Sequence, residues 1–190
     1  MTSILRPTIA LFLVMTVITG IVYPLVVTGV AQVAFPNQAA GSLIIKDAKP
    51  VGSRLIGQSF SDPRYFWSRP SATSPQPYNG LASSGSNQGP LNPALTDAVK
   101  SRIDALRAAD PGNQTPVPVD LVTASASGLD PDISLAAAYY QAPRVARTRG
   151  LELEAVKALI SRHAQGQVLG FLGDPRINVL ELNLALDQTR

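Results

Sequence analysis

A chain of 190 residues with 45% apolar and only 15% charged side chains holds one ordinary domain and an appendage; it is too short for two large domains and too apolar to be disordered throughout. Sixteen Lys and Arg against thirteen Asp and Glu leave a net charge of +3, too small and too dispersed to form the dense basic face that a nucleic acid demands. With no cysteine, disulfides, thiolate nucleophiles and Cys-based zinc sites are excluded.

Residues 7–45 carry no charge, and residues 8–35 read TIALFLVMTVITGIVYPLVVTGVAQVAF. At ~1.5 Å per residue this stretch reaches ~42 Å, more than the ~30 Å hydrocarbon slab, so a membrane-spanning helix is predicted that tilts or ends among the headgroups. A secretory signal is the competing reading, but its apolar region usually runs ~7–15 residues, well short of this one, which favours a retained anchor. Arg6 and the α-amino group are the only charges ahead of the span, so the positive-inside rule places the N-terminus in the cytoplasm and the following domain outside.

Within the span Thr16, Thr19, Gly20 and Tyr23 recur at i, i+3, i+4 and i+7 and form one small, polar face suited to another helix. The competing reading is that the threonines bond only their own helix. Pro24 has no N–H for the carbonyl of Gly20, so a kink is predicted there. One uncharged helix supplies neither carbonyl rings nor intramembrane ionisable groups, and the chain by itself is neither channel nor pump.

Beyond the span, FPNQAAGSLIIKDAKP leads into a strand predicted at 42–46, and 52–67 reads as two short β-like runs around a Ser-Asp-Pro turn. Residues 69–93, rich in Pro, Gly, Ser and Asn, form a long loop of the kind that often serves as a contact surface. Asn92-Pro93 caps an amphipathic helix ending near Asp110, and the alternation of VDLVT predicts a strand at 119–123. Asp132 or Ser134 caps a helix over 136–149 that Gly150 ends. A second amphipathic helix occupies 151–165. Residues 178–187 alternate like a strand, yet Asn178 and Glu181 form a capping box, which favours helix. The fold class is therefore α+β: an anchor helix over 1–35, then one compact extracytoplasmic domain over 36–190.

Signatures of chemistry are absent. No Gly-Lys pair builds a phosphate-cradling loop, no Gly-x-Ser-x-Gly makes a nucleophile elbow, and no Asp-Lys-Thr offers a phosphorylatable aspartate. His163, the one histidine, sits where a helix C-terminus welcomes it. Asp130 and Asp132 lack the further oxygens of a calcium site, so no metal is expected and helix capping is the better reading. Arg144, Arg147 and Arg149, with Gln141 one turn before, read as a solvated face that complements the helix dipole, or as an anion contact. Tyr65, Phe66 and Trp67 read as core packing.

Several blocks, taken in order behind one N-terminal span, carry a resemblance: LRP at 5–7, TGIVYPLVVT at 19–28, GSLI at 41–44, LIGQ at 55–58, RPSAT at 69–73, PYN at 77–79, SGSN at 84–87, VTASASGLD at 122–130, QAPRVA at 141–146 and LNLALD at 182–187. They run nearly the whole chain, which resembles the C subunit of the Kdp potassium-transporting ATPase, a bacterial high-affinity uptake pump. The resemblance implies an inner-membrane complex with a channel-like A subunit, a P-type ATPase B subunit and a small F subunit. It implies no tightly bound cofactor, ATP entering through the B subunit. The family is described as a catalytic chaperone that raises the ATP affinity of that subunit, with SASG plus a glutamine as the nucleotide contact. Carried over, these are Ser125, Ser127, Gly128 and Gln141. A ~30 Å bilayer stands between a periplasmic domain and cytoplasmic ATP, so a second expectation is a periplasmic cap that tunes potassium access without touching nucleotide. An anchored periplasmic enzyme is a remote third.

Overall fold

The structure, a computed structural model, describes residues 2–189. Residues 2–34 form one rod: α1 (Thr2–Val17), a π-helical turn (Ile18–Val22) and α2 (Tyr23–Ala34). The apolar stretch Ile4–Ala34 is 31 residues long and nowhere buried by the rest of the chain, so a single transmembrane helix precedes an α+β domain. Where Pro24 removes a donor, the rod responds just upstream by winding wider, and the amide of Tyr23 donates to the carbonyl of Ile18.

Phe35 breaks the helical backbone, a single turn α3 (Pro36–Ala39) follows, and the chain enters the antiparallel hairpin of β1 (Leu43–Lys46) and β2 (Lys49–Ser53). Of the predicted β-like runs in 52–67 only Gly52 and Ser53, the end of β2, are strand. The backbone of Phe66 and Trp67 is instead bonded by side-chain amides from two helices, which take the place of a neighbouring strand. Residues 69–92 form neither helix nor strand, as their composition predicts.

Helix α4 (Pro93–Ala109) starts where Asn92 accepts the amide of Ala94 at 3.0 Å. The strand predicted at 119–123 is a 3-10 turn, Val119–Leu121. Its Asp120 carboxylate accepts the backbone amide of Ser134 at 2.8 Å and its hydroxyl at 3.1 Å, a tertiary demand that five alternating residues do not reveal. β3 (Asp132–Ser134) pairs antiparallel with β4 (Arg176–Asn178), Ile133 opposite Ile177. Ser134, not Asp132, caps α5 (Leu135–Arg149) by accepting the amide of Ala137, while Asp132 pairs with Arg176 at 2.9 Å. Gly150 ends α5 in the left-handed conformation at φ 66, the backbone that glycine reaches without strain.

Helices α6 (Leu153–His163) and α7 (Val179–Leu186) complete the core, with His163 in the last turn of α6. Asn178 accepts the amide of Glu181 as expected, but the carboxylate of Glu181 turns to Arg54, so only half of the capping box forms. Phe66, Ile133, Ile160, Ile177, Leu182 and Leu186 are fully buried between α5, α6, α7 and the short β3–β4 ladder.

Candidate functional site

The SASG segment folds as a tight turn, the amide of Gly128 donating to the carbonyl of Ser125 at 3.3 Å. Gly128 has φ 68, and a Cβ added there would stand 2.5 Å from Thr73 Cγ2 and 2.7 Å from the carbonyl oxygen of Ser84, so no other residue fits. This crowding comes from the long loop, which wraps the turn. The Ser71 hydroxyl donates to the carbonyl of Gly128 at 2.7 Å, and the amide of Ser84 and hydroxyl of Ser83 both donate to the carbonyl of Ser127 at 3.0 Å. Ser125 is buried and its amide reaches the carbonyl of Pro70. Ser127 is exposed, and its Oγ accepts the amide of Leu129 at 3.1 Å.

Beside the turn lies an open cavity of about 600 Å³ lined by Leu55, Arg69, Ser125, Ser127 and Asp130 among others. Arg69 and Asp130 form a half-buried ion pair at 2.9 Å. The Tyr78 hydroxyl donates to the carbonyl of Arg69, and burial pushes that phenol above its ordinary range.

Gln141 belongs to a different network. It is buried in α5, its Oε1 accepting from the amide of Trp67 and from Arg144 Nη2, each at 2.7 Å. Its Nε2 donates to the carbonyls of Trp67 at 3.1 Å and Ala137 at 3.3 Å, so both ends of the amide are engaged within the fold. Among the described residues no hydrogen bond joins Gln141 to the SASG turn. It does not line the cavity beside Ser127 either.

Arg144 corrects the expectation of a solvated arginine face, for its side chain is only 2% exposed. It lies over the Trp67 ring, 4.6 Å from the centroid, and donates to the carbonyl of Pro63 at 2.6 Å. Burial pulls its pKa down to about 10, which still leaves it protonated at neutral pH. Its neighbours are tied differently: Arg147 to Asp110 at 2.7 Å, and Arg149 to Asp187 at 2.7 Å while stacked on Tyr65. Asn183 repeats the device of Gln141, accepting the amide of Phe66 at 2.9 Å and donating to its carbonyl at 3.0 Å. Sequence reading passed over Asn183; its only signal was one amide among the leucines of α7.

In the rod, Thr16 and Thr19 donate their hydroxyl protons to their own helix, at the carbonyls of Phe12 (2.8 Å) and Met15 (2.7 Å). Their oxygens stay free to accept from a neighbouring helix. Gly20 has nothing near its Cα face, and Tyr23 is exposed. Among the described residues no group of three or more His, Cys, Asp or Glu side chains is arranged to hold a metal ion.

Comparison with known proteins adds an independent line. The family model described as "K+-transporting ATPase, c chain" matches residues 5–188. The chain is 68% identical over 187 residues to the potassium-transporting ATPase KdpC subunit of Polaromonas naphthalenivorans, covering 98% of this chain and 95% of the relative. It is 65% identical to the subunit of the same name from Variovorax paradoxus (98% of this chain, 97% of the relative) and 65% identical to that from Dechloromonas aromatica (98% of each). With a single apolar rod ahead of a compact α+β body and a family match across almost its full length, the chain belongs to the KdpC family, the c chain of the K+-transporting ATPase.

Proposed function

We propose that the chain is a non-catalytic accessory subunit of an ATP-driven potassium uptake complex. It is anchored with its N-terminus in the cytoplasm and its domain on the periplasmic side of a bacterial inner membrane. The rod packs on the channel-like A subunit through Thr16, Thr19, Gly20 and Tyr23, and the domain acts as a cap that stabilises the assembly with the B and F subunits and tunes potassium access.

The observation that carries this reading is the exposed rod itself. A predominantly apolar helix of 31 residues with no burial against its own domain calls for lipid and a helix partner, and it holds the body on one side of the bilayer. The interior supports it as well. Gln141, Arg144 and Asn183 spend their polar groups on positioning residues 63–67, a use suited to a rigid docking body.

A second reading keeps the catalytic-chaperone role, with ATP reaching Ser125, Ser127, Gly128 and Gln141 in a transient complex with the B subunit. Ser127 supports it, an exposed side chain at a cavity that Arg69 also lines. For Gln141 to take part, its bonds to Trp67, Ala137 and Arg144 must open first.

The test is purification of a tagged chain from native membranes, followed by photo-crosslinking of the complex with an azido-nucleotide. The accessory reading predicts copurification with large hydrophobic partners, label confined to those partners, and no ATP hydrolysis by the chain alone. Label on 125–128 favours the second reading. Turnover by the isolated chain contradicts both.

A further inference from the structure

The β1–β2 ribbon has a face that the domain does not cover. Leu43 and Ile45 are 52% and 57% exposed while Ile44 between them is half-buried, although the ladder shifts register between Ile44 and Ile45, where β2 carries one extra residue. At the ribbon's tip Asp47 and Ala48 make a turn in the left-handed region, φ 51 and 61, which sets Lys46 opposite Lys49. Both lysines are exposed, and neither has an ion pair among the described residues. Left in water, this is an aliphatic patch crowned by two lysines that outnumber the one carboxylate between them, Asp47.

The ribbon begins where the rod ends. The rod stops at Ala34, one turn of helix follows, and Ser42 is pinned by the amide of Arg54, which donates to its carbonyl at 3.0 Å. At ~1.5 Å per residue the uncharged stretch over 8–35 measures ~42 Å against a ~30 Å hydrocarbon slab. Whether the rod tilts to hide that excess or ends among the headgroups, its outer end, where Val33 and Phe35 are exposed, lies at the membrane surface.

We propose that the β1–β2 ribbon is a second membrane contact, in which Leu43 and Ile45 rest in the interfacial layer of the leaflet where the rod emerges and Lys46 and Lys49 bind anionic phospholipid headgroups. Lipid is favoured over a protein partner on two grounds. The rod holds the ribbon at the bilayer, so the surface continues an interface already present. Lysine is also depleted from protein interfaces, whereas an ammonium on a flexible stem beside aliphatic side chains is what a charged bilayer surface accommodates.

The chain has no cysteine, so single cysteines report cleanly. The full chain is reconstituted into vesicles of phosphatidylcholine with or without phosphatidylglycerol, carrying an environment-sensitive fluorophore at Ile45→Cys, at Leu91→Cys as a solvent control, or at Val26→Cys as a span control. Quenching by lipid-borne nitroxide is read at each. The ribbon contact predicts strong quenching at positions 26 and 45 and none at 91. It also predicts that omitting phosphatidylglycerol, or adding Lys46→Gln with Lys49→Gln, lowers the docked population at 45 by about tenfold. Quenching at 26 with position 45 as accessible as 91 overturns the proposal while leaving the span intact, and quenching at neither 26 nor 45 overturns both. Quenching at 45 that ignores lipid charge removes the lysines' role, and shielding of 45 only when other subunits are added assigns the surface to protein.

Discussion

Gln141 holds more of the domain than its place in an exposed-looking helix implies. Its amide carries the backbone of Trp67 on both sides and, among the described residues, is one of two hydrogen-bond acceptors of the buried Arg144 guanidinium. Gln141→Ala strands a buried cation and two backbone groups, and is expected to cost about 2–4 kcal/mol in denaturant unfolding of the full chain in detergent. An isosteric Gln141→Glu, which keeps the acceptor side and adds charge beside Arg144, is expected to cost less. Gly128→Ala adds a methyl in left-handed backbone against Thr73 and Ser84, and more than ~2 kcal/mol is expected to be lost. Asp132 gives a pH signature. Burial first, and Asp130 second, push its carboxyl above the usual range, so the native state binds its proton more readily than the unfolded chain does. The ionised form therefore costs stability at neutral pH, and Asp132→Asn is expected to raise the melting temperature there. That gain should fade as pH falls through the native value and vanish below 3.8, where both states are protonated. A gain that persists in acid would refute the assignment. Residue types at these positions were readable; their burial was not, because Arg144 and Gln141 become interior only once residues 63–67 fold across α5.

At the level of elements, caps and periodicity were sound guides. Asn92-Pro93, Ser134 and Asn178 each start a helix by accepting an amide, an interaction local enough to be written in a few residues. Short segments were poor guides. VDLVT follows the strand pattern yet turns as 3-10 because Asp120 is needed at Ser134, fourteen residues on, and β3 and β4, at three residues each, carry too little pattern to be read. In the rod, proline foretold a disturbance and the structure places it as a π turn just upstream. Pro24→Ala restores a donor for the Gly20 carbonyl. The Tyr23 amide is then expected to leave Ile18 for the regular partner one residue on, seen as a shift of its NMR resonance in detergent, while an unchanged resonance would mean that proline does not cause the turn.

Taken whole, the molecule is an apolar rod with no partner among the described residues of its own chain, joined through a short turn to a body whose polar interior is committed to its own loops. A family match over residues 5–188 makes it one subunit of a potassium-transporting ATPase. Which side of the membrane the body occupies decides between a cap on the ion path and a nucleotide contact. Leu91, 95% exposed in the long loop of a chain without cysteine, is the place to ask. With Leu91→Cys in the assembled complex, a membrane-impermeant maleimide added to intact spheroplasts is predicted to label the chain at once, with no increase on lysis. Labelling that appears only after lysis would put the body in the cytoplasm and contradict the periplasmic cap.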